Sequence, residues 1–246
     1  MKALNYSLTA AFAALVIYGT FNFNHAIGHG SEAATNYKIE VPLKNHLQLG
    51  MNEQDVFIEK VVGSGQVYRV TANDKDAAAP LYAAARPTAH NPIDPKDIGP
   101  FPKGQRLGIT QGRWLEGSGK ATVSCDNGQG ALTASFQKLV PGGVYTFWYF
   151  FMATPFSEPF STYDLPIGAR SGTENIFVAD RNGTASYSVK FKPCLQLSGE
   201  QLTAGLAIAY HSDGKTYAGS PGTFGTVSHL HLFNFLPKAS ELAASK

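Results

Sequence analysis

Period-two alternation of apolar and polar residues constrains this chain more than any other feature. Over residues 131–138, Leu132, Ala134 and Phe136 fall on one face and Thr133, Ser135 and Gln137 on the other. Over residues 184–191, Ala185, Tyr187, Val189 and Phe191 oppose Ser186, Ser188 and Lys190. A helix would scatter these positions around its axis, whereas a strand sends successive side chains to opposite faces. Residues 144–152 differ. Tyr145, Phe147 and Tyr149 alternate with Val144, Trp148 and Phe150, so both faces are apolar, as in a central strand covered on both sides.

The remaining segments are punctuated by turn residues. Residues 56–62 and 66–71 flank Gly63-Ser64-Gly65 and read as a hairpin, because glycine supplies the positive φ of tight turns. Residues 176–179 and 184–191 flank Asp180-Arg181-Asn182-Gly183 and read as a second hairpin. A first strand is expected over 37–41, ended by Pro42, and further strands over 206–210 and 227–236, ended by Pro237. Residues 238–246 read as a frayed or short helical tail. Between 74 and 105 stand Pro80, Pro87, Pro92, Pro95, Pro100 and Pro102, which interrupt ladders and helices, so a long Pro-rich loop is expected there. The alanines at 77–79 and 83–85 allow one helical turn. About nine strands without a sustained helical period predict an all-β fold, an antiparallel β-sandwich, with a barrel as second choice.

The first residues carry an export pattern. Met1-Lys2 is a short cationic start, an apolar run covers residues 8–23, and Ala26-Ile27-Gly28 offers small residues at the positions a signal peptidase reads. The expected layout is a secretory signal peptide over 1–28 and a single β-sandwich domain over 29–246, with cleavage at Ala33 as the alternative. An uncleaved anchor is the competing layout. The periplasm or the extracellular space is then the expected location, with no stable membrane span after cleavage. Cys125 and Cys194 are the only cysteines, and an even pair in an exported chain predicts a disulfide. Neither has a CxxC partner, which argues against a thiolate metal or redox site. The formal charge of +2 with no basic run excludes a nucleic-acid partner class. The charged fraction of 15% lies below the roughly 25% of ordinary soluble domains, so electrostatic steering is weak.

The histidines are the candidates for metal chemistry. His229 and His231 stand two apart in an expected strand and share a face. If the strands before and after 212–226 pair about Ser220, His211 lies opposite His229, with Cβ atoms about 5 Å apart. Copper or zinc would suit three such imidazoles as a cofactor. Cleavage after Gly28 would make His29 the mature N-terminus, adding an amine and a further ring. The start His29-Gly30 resembles the mature N-terminus of copper-dependent lytic polysaccharide monooxygenases. That resemblance implies a copper brace on a β-sandwich, and it covers these two residues alone.

Other motifs are incomplete. Gly117-Ser118-Gly119-Lys120-Ala121 lacks the first glycine and the final hydroxyl of a phosphate loop. Gly128-Gln129-Gly130 lacks the third glycine of a dinucleotide site, and no Gly-x-Ser-x-Gly elbow occurs. Asn182-Gly183-Thr184 is formally a glycosylation sequon, but reads better as a turn. Glu158, Asp164 and Glu174 are carboxylates whose separation the sequence does not set. The aromatic run at 145–151 suits a sandwich core. Trp114, between polar and glycine-rich segments, is the candidate for a partly exposed stacking residue. The expectation is therefore an exported protein with a binding or structural role toward an unknown ligand or protein. The alternative is a copper or zinc protein or metalloenzyme, and whether the chain is an enzyme stays open.

Overall fold

The computed structural model describes residues 36–91, 96–156 and 160–243. The expected signal peptide, both cleavage sites, His29 and Glu158 lie outside them. The described chain is built from two antiparallel systems. Nine strands form the larger sheet, in the order β10 (Ile176–Val178), β8 (Val144–Ala153), β12 (Leu202–His211), β13 (Ser228–Phe233), β1 (Tyr37–Lys44), β6 (Ser118–Asp126), β7 (Gln129–Gln137) and β11 (Ala185–Phe191). The ninth, β9 (Tyr163–Pro166), pairs with β8. Four strands, β2 (Phe57–Ile58), β3 (Gln66–Arg69), β5 (Phe101–Thr110) and β4 (Pro80–Ala84), close a small barrel.

The larger sheet curls, so its two halves face each other as in a sandwich. Phe136 on β7 stacks on Phe177 of β10 with ring centroids 5.0 Å apart. Phe147 on β8 meets Tyr187 of β11 at 5.3 Å and Phe233 of β13 at 5.4 Å. These side chains are the inward halves of the alternating patterns, and each fully buried ring contributes roughly 1.5–3 kcal/mol. β8 is buried on both faces, because Trp148, Phe150 and Met152 enter a second apolar cluster on the outer side. The β6–β7 hairpin turns at Asn127-Gly128, both with positive φ, the geometry that matches strand twist in a two-residue loop.

Four expectations are refined. Pro42 does not end the first strand. β1 pairs with β6 through Pro42 and then with β13 at Leu43 and Lys44, so the proline sits where the ladder changes partner. Asp180–Gly183 forms a turn, with Asp180 Oδ1 accepting from the Asn182 and Thr184 amides at 2.8 Å. It joins no hairpin, however: β10 pairs with β8 and β11 with β7, because the chain crosses here between the two halves of the curled sheet. Within 74–105, residues 80–84 and 101–105 lie in strands, and the described residues between them, 85–91 and 96–100, form neither helix nor strand. Pro80 is tolerated as the first residue of β4, and the β4–β5 ladder is broken by register shifts that accommodate irregular backbone. The alanines at 83–84 lie in β4 rather than in a helix.

Cys125 and Cys194 are bonded, with Cα atoms 5.6 Å apart. The bridge fastens the end of β6 to the segment after β11. Thr110 caps the short helix α1 (Gln111–Leu115) by accepting from the Arg113 amide, and α2 (Ala239–Ala243) forms in the C-terminal tail. No helix among the described residues is long and apolar enough to cross a membrane.

Candidate functional site

The register of β12 and β13 decides the fate of the histidine cluster. Tyr210 pairs with His229 and His211 with Ser228, one residue away from the pairing centred on Ser220. A one-residue slip reverses the face of every side chain, so His211 projects outward and His229 and His231 project inward. This corrects the expected His211–His229 juxtaposition. His211 Nε2 instead meets Thr146 Oγ1 at 2.8 Å, beside Trp148. His231 stacks on Trp114, ring centroids 3.8 Å apart. Trp114 is itself only 2% exposed, so it is a core residue and not an open stacking platform. Among the described residues, no group of three or more His, Cys, Asp or Glu side chains is arranged to hold a metal ion.

Burial governs how these rings titrate. It lowers His231 to about 3, with His46 and His229 adding repulsion. It lowers His211 to about 4, partly offset by Asp213. Both are therefore neutral imidazoles near pH 7.

A crevice opens on the outer face of the larger sheet. Its floor is Trp148, Phe150 and Met152 of β8 with Ala207 of β12 and Leu230 and Leu232 of β13. Loop residues Met51, Phe160, Phe224 and Phe235 form its walls. The crevice is narrow, with a cavity volume of about 30 Å³, and it opens to solvent. Only a slim group enters the narrow part. The alternation of β8 explains the floor: every second residue of this central strand faces away from the main core and is still apolar.

Beside the Thr162 hydroxyl, two ionisable groups among the described residues converge on this apolar surface, and they come from different elements. Asp164 lies opposite Phe150 in the β8–β9 pair, so the two share a face. Burial raises its carboxyl above the ordinary range, while the Thr162 hydroxyl at 3.1 Å and the nearby His90 only partly compensate. His90 comes from the Pro-rich loop. Its ring packs against Phe224 at 5.0 Å, and its Nδ1 lies 3.1 Å from Asp55 Oδ1. Asp55 is wholly buried. Burial alone would raise its carboxyl, but His90, then His46 and Arg69, outweigh this and hold it below the usual range.

Behind this pair lies a second one, His46 Nδ1 with Glu53 Oε1 at 2.9 Å, both side chains fully buried. The two imidazoles, His46 and His90, are 5.9 Å apart. Arg69 of β3 holds the loop that carries His90. Its Nε donates to the Asp97 carbonyl at 2.8 Å, its Nη2 to the Ala89 carbonyl, and its guanidinium lies 5.2 Å from the Phe101 ring. Asp55 also contacts β13: its main-chain oxygen accepts from His229 Nδ1 at 2.6 Å. One short segment thus joins the small barrel, the Pro-rich loop and the larger sheet.

Sequence reasoning missed His46, Glu53, Asp55, Arg69 and His90. These residues are spread over positions 46–90, and no local spacing links His90 to Asp55 across 35 positions. Asp164 was visible as a carboxylate, but its partner Phe150 follows only from strand pairing. Glu174 lies elsewhere, accepting from the Ala169 amide at 2.7 Å. Compared with protein-family models and with characterised proteins, the chain matches none.

Proposed function

We propose that this chain is an exported binding protein whose outer crevice takes a slim apolar group carrying one polar head. The observation that carries this reading is the crevice itself, an aromatic and aliphatic surface on which, among the described residues, Asp164 and His90 are the two ionisable groups. Apolar walls with a few converging polar groups are the general form of a small-molecule site: the walls supply affinity and the polar groups set orientation. Export is supported by the cationic and apolar pattern of residues 1–28 and by the Cys125–Cys194 disulfide, a bond that persists in oxidising compartments.

The test is a titration of the folded protein with 1-hexanol, followed by methyl resonances of Ala207, Leu230 and Leu232. Saturable shifts confined to these methyls and to Met51 and Met152 are expected. Ala207→Leu, which fills the crevice floor, should abolish them while leaving the remaining spectrum unchanged. Absent shifts, or equal saturation in the Ala207→Leu protein, would rule the crevice out as a binding site.

A further inference from the structure

At the rim where β12 ends, Ser212 and His229 form a pair that the crevice does not use. Ser212 Oγ lies 2.9 Å from His229 Nε2, and the opposite ring nitrogen, Nδ1, donates to the Asp55 main-chain oxygen at 2.6 Å. A carbonyl only accepts, so the ring proton is on Nδ1 and the lone pair of Nε2 faces the serine hydroxyl. That is the tautomer a general base requires, with the far N–H anchored so that the ring cannot turn. The anchoring is firm: His229 is fully buried and packs against Tyr210, ring centroids 5.9 Å apart. Ser212 is half-buried, so its hydroxyl is reachable. From the exposed side Gln105 donates its side-chain amide to Ser212 Oγ at 3.0 Å.

We propose that Ser212 is the nucleophile of an acyl-transfer site, with His229 as general base and Gln105 as donor to the developing oxyanion, acting on unhindered carboxylic esters. Ser212 Oγ bonds to the ester carbonyl carbon, its proton passes to His229 Nε2, and the C=O π pair moves onto the carbonyl oxygen. That oxygen develops its charge within reach of the Gln105 amide, a side-chain donor of the kind that stabilises tetrahedral intermediates. Collapse breaks the bond to the alcohol oxygen, which leaves with the proton held by His229. Water, deprotonated by the same nitrogen, releases the acid and restores the hydroxyl. Ester and water become acid and alcohol, and no other reactant is consumed. The burial of His229 opposes an imidazolium, while the Asp55 carbonyl and the carboxylates of Asp55 and Asp213 favour it. The site is separate from the crevice, and neither proposal depends on the other.

The experiment is covalent labelling of the full chain with a fluorophosphonate, in which Ser212 Oγ displaces fluoride from phosphorus. One equivalent of label on Ser212, located by peptide mass spectrometry and absent in a folded Ser212→Ala protein, is the expected result. Gln105→Ala alters an exposed side chain outside the core and should label about a hundredfold more slowly, the lower end of what one oxyanion donor contributes. No incorporation under conditions that fully label a control esterase would overturn the proposal. So would label retained in Ser212→Ala. An unchanged labelling rate in Gln105→Ala would overturn the role given to that amide.

Discussion

His231, face to face with Trp114, and His211, under Tyr217, make the stability of this protein depend on pH in one direction. Their folded values, about 3 and about 4, lie below the ordinary 6.5. Between those values and 6.5 the unfolded chain binds protons that the folded chain refuses. Stability is therefore full above pH 6.5 and falls as pH falls, by about 1.4 kcal/mol per pH unit for each ring. His229, also lowered by burial, adds to the loss, and Asp55 extends it below the carboxylate range. Asp164, raised by burial, acts with the opposite sign and offsets a minor part. Urea midpoints should drop steeply from pH 6.5 to 4.5. His231→Phe keeps the stack on Trp114 and removes one titrating group, so its profile should be shallower by close to one proton. An unaltered slope would show that His231 is not the group excluded from protonation.

Among the elements, the ladder of β8 and β12 and the disulfide carry separate predictions. Gly205 on β12 lies under the ring of its partner Phe150, and a Cβ there would stand 2.4 Å from that ring. Gly205→Ala must push Phe150 toward the crevice, at a cost of about 1–3 kcal/mol for overpacking. Denaturation of the Gly205→Ala protein measures this cost directly, and an unchanged midpoint would mean that the ring yields freely. The disulfide spans a sequence separation of 69. Closing a loop of that length removes unfolded-state entropy worth roughly 4 kcal/mol. The Cys125→Ala/Cys194→Ala protein should lose most of that in equilibrium unfolding. It should do so at constant m-value only if its unfolded state is as open as that of the bridged chain.

Across the whole molecule, buried polar contacts tie the small barrel to the curled sheet. The Asp55 carbonyl receives the His229 N–H, and the Ala84 amide donates to the Gly225 carbonyl at 2.8 Å. Separating the barrel would leave these groups unpaired in apolar surroundings, which costs about 1–3 kcal/mol each. A single calorimetric transition is expected, with van't Hoff and calorimetric enthalpies equal. Two resolved transitions would show that the barrel unfolds by itself. Arg69→Met should loosen the loop that carries His90 more than it disturbs the larger sheet, and amide exchange of residues 86–91 against those of β7 would report the difference.

Alternation over 131–138 and 184–191 was enough to determine an all-β chain, and the double-sided pattern of 144–152 to place its most buried strand, because the faces of a strand follow from its backbone period. The cysteine pair was legible for a similar reason: two cysteines allow one intramolecular bridge. Strand partners were not legible. Asp180–Gly183 is a turn in either topology, and which sheet receives the outgoing strand depends on how the sheet curls. The histidine site was decided by one residue of register between β12 and β13, which reverses the faces of His211 and His229 while leaving both strands equally regular. The loop sequence before β13 does not encode that choice locally. Trp114 shows the same limit, since polar neighbours in the chain did not prevent its burial against His231. Period and composition act between near neighbours and determine the elements. Register, curl and the meeting of His90 with Asp55, or of Ser212 with His229, depend on contacts between segments distant in the chain, and only the tertiary structure sets them.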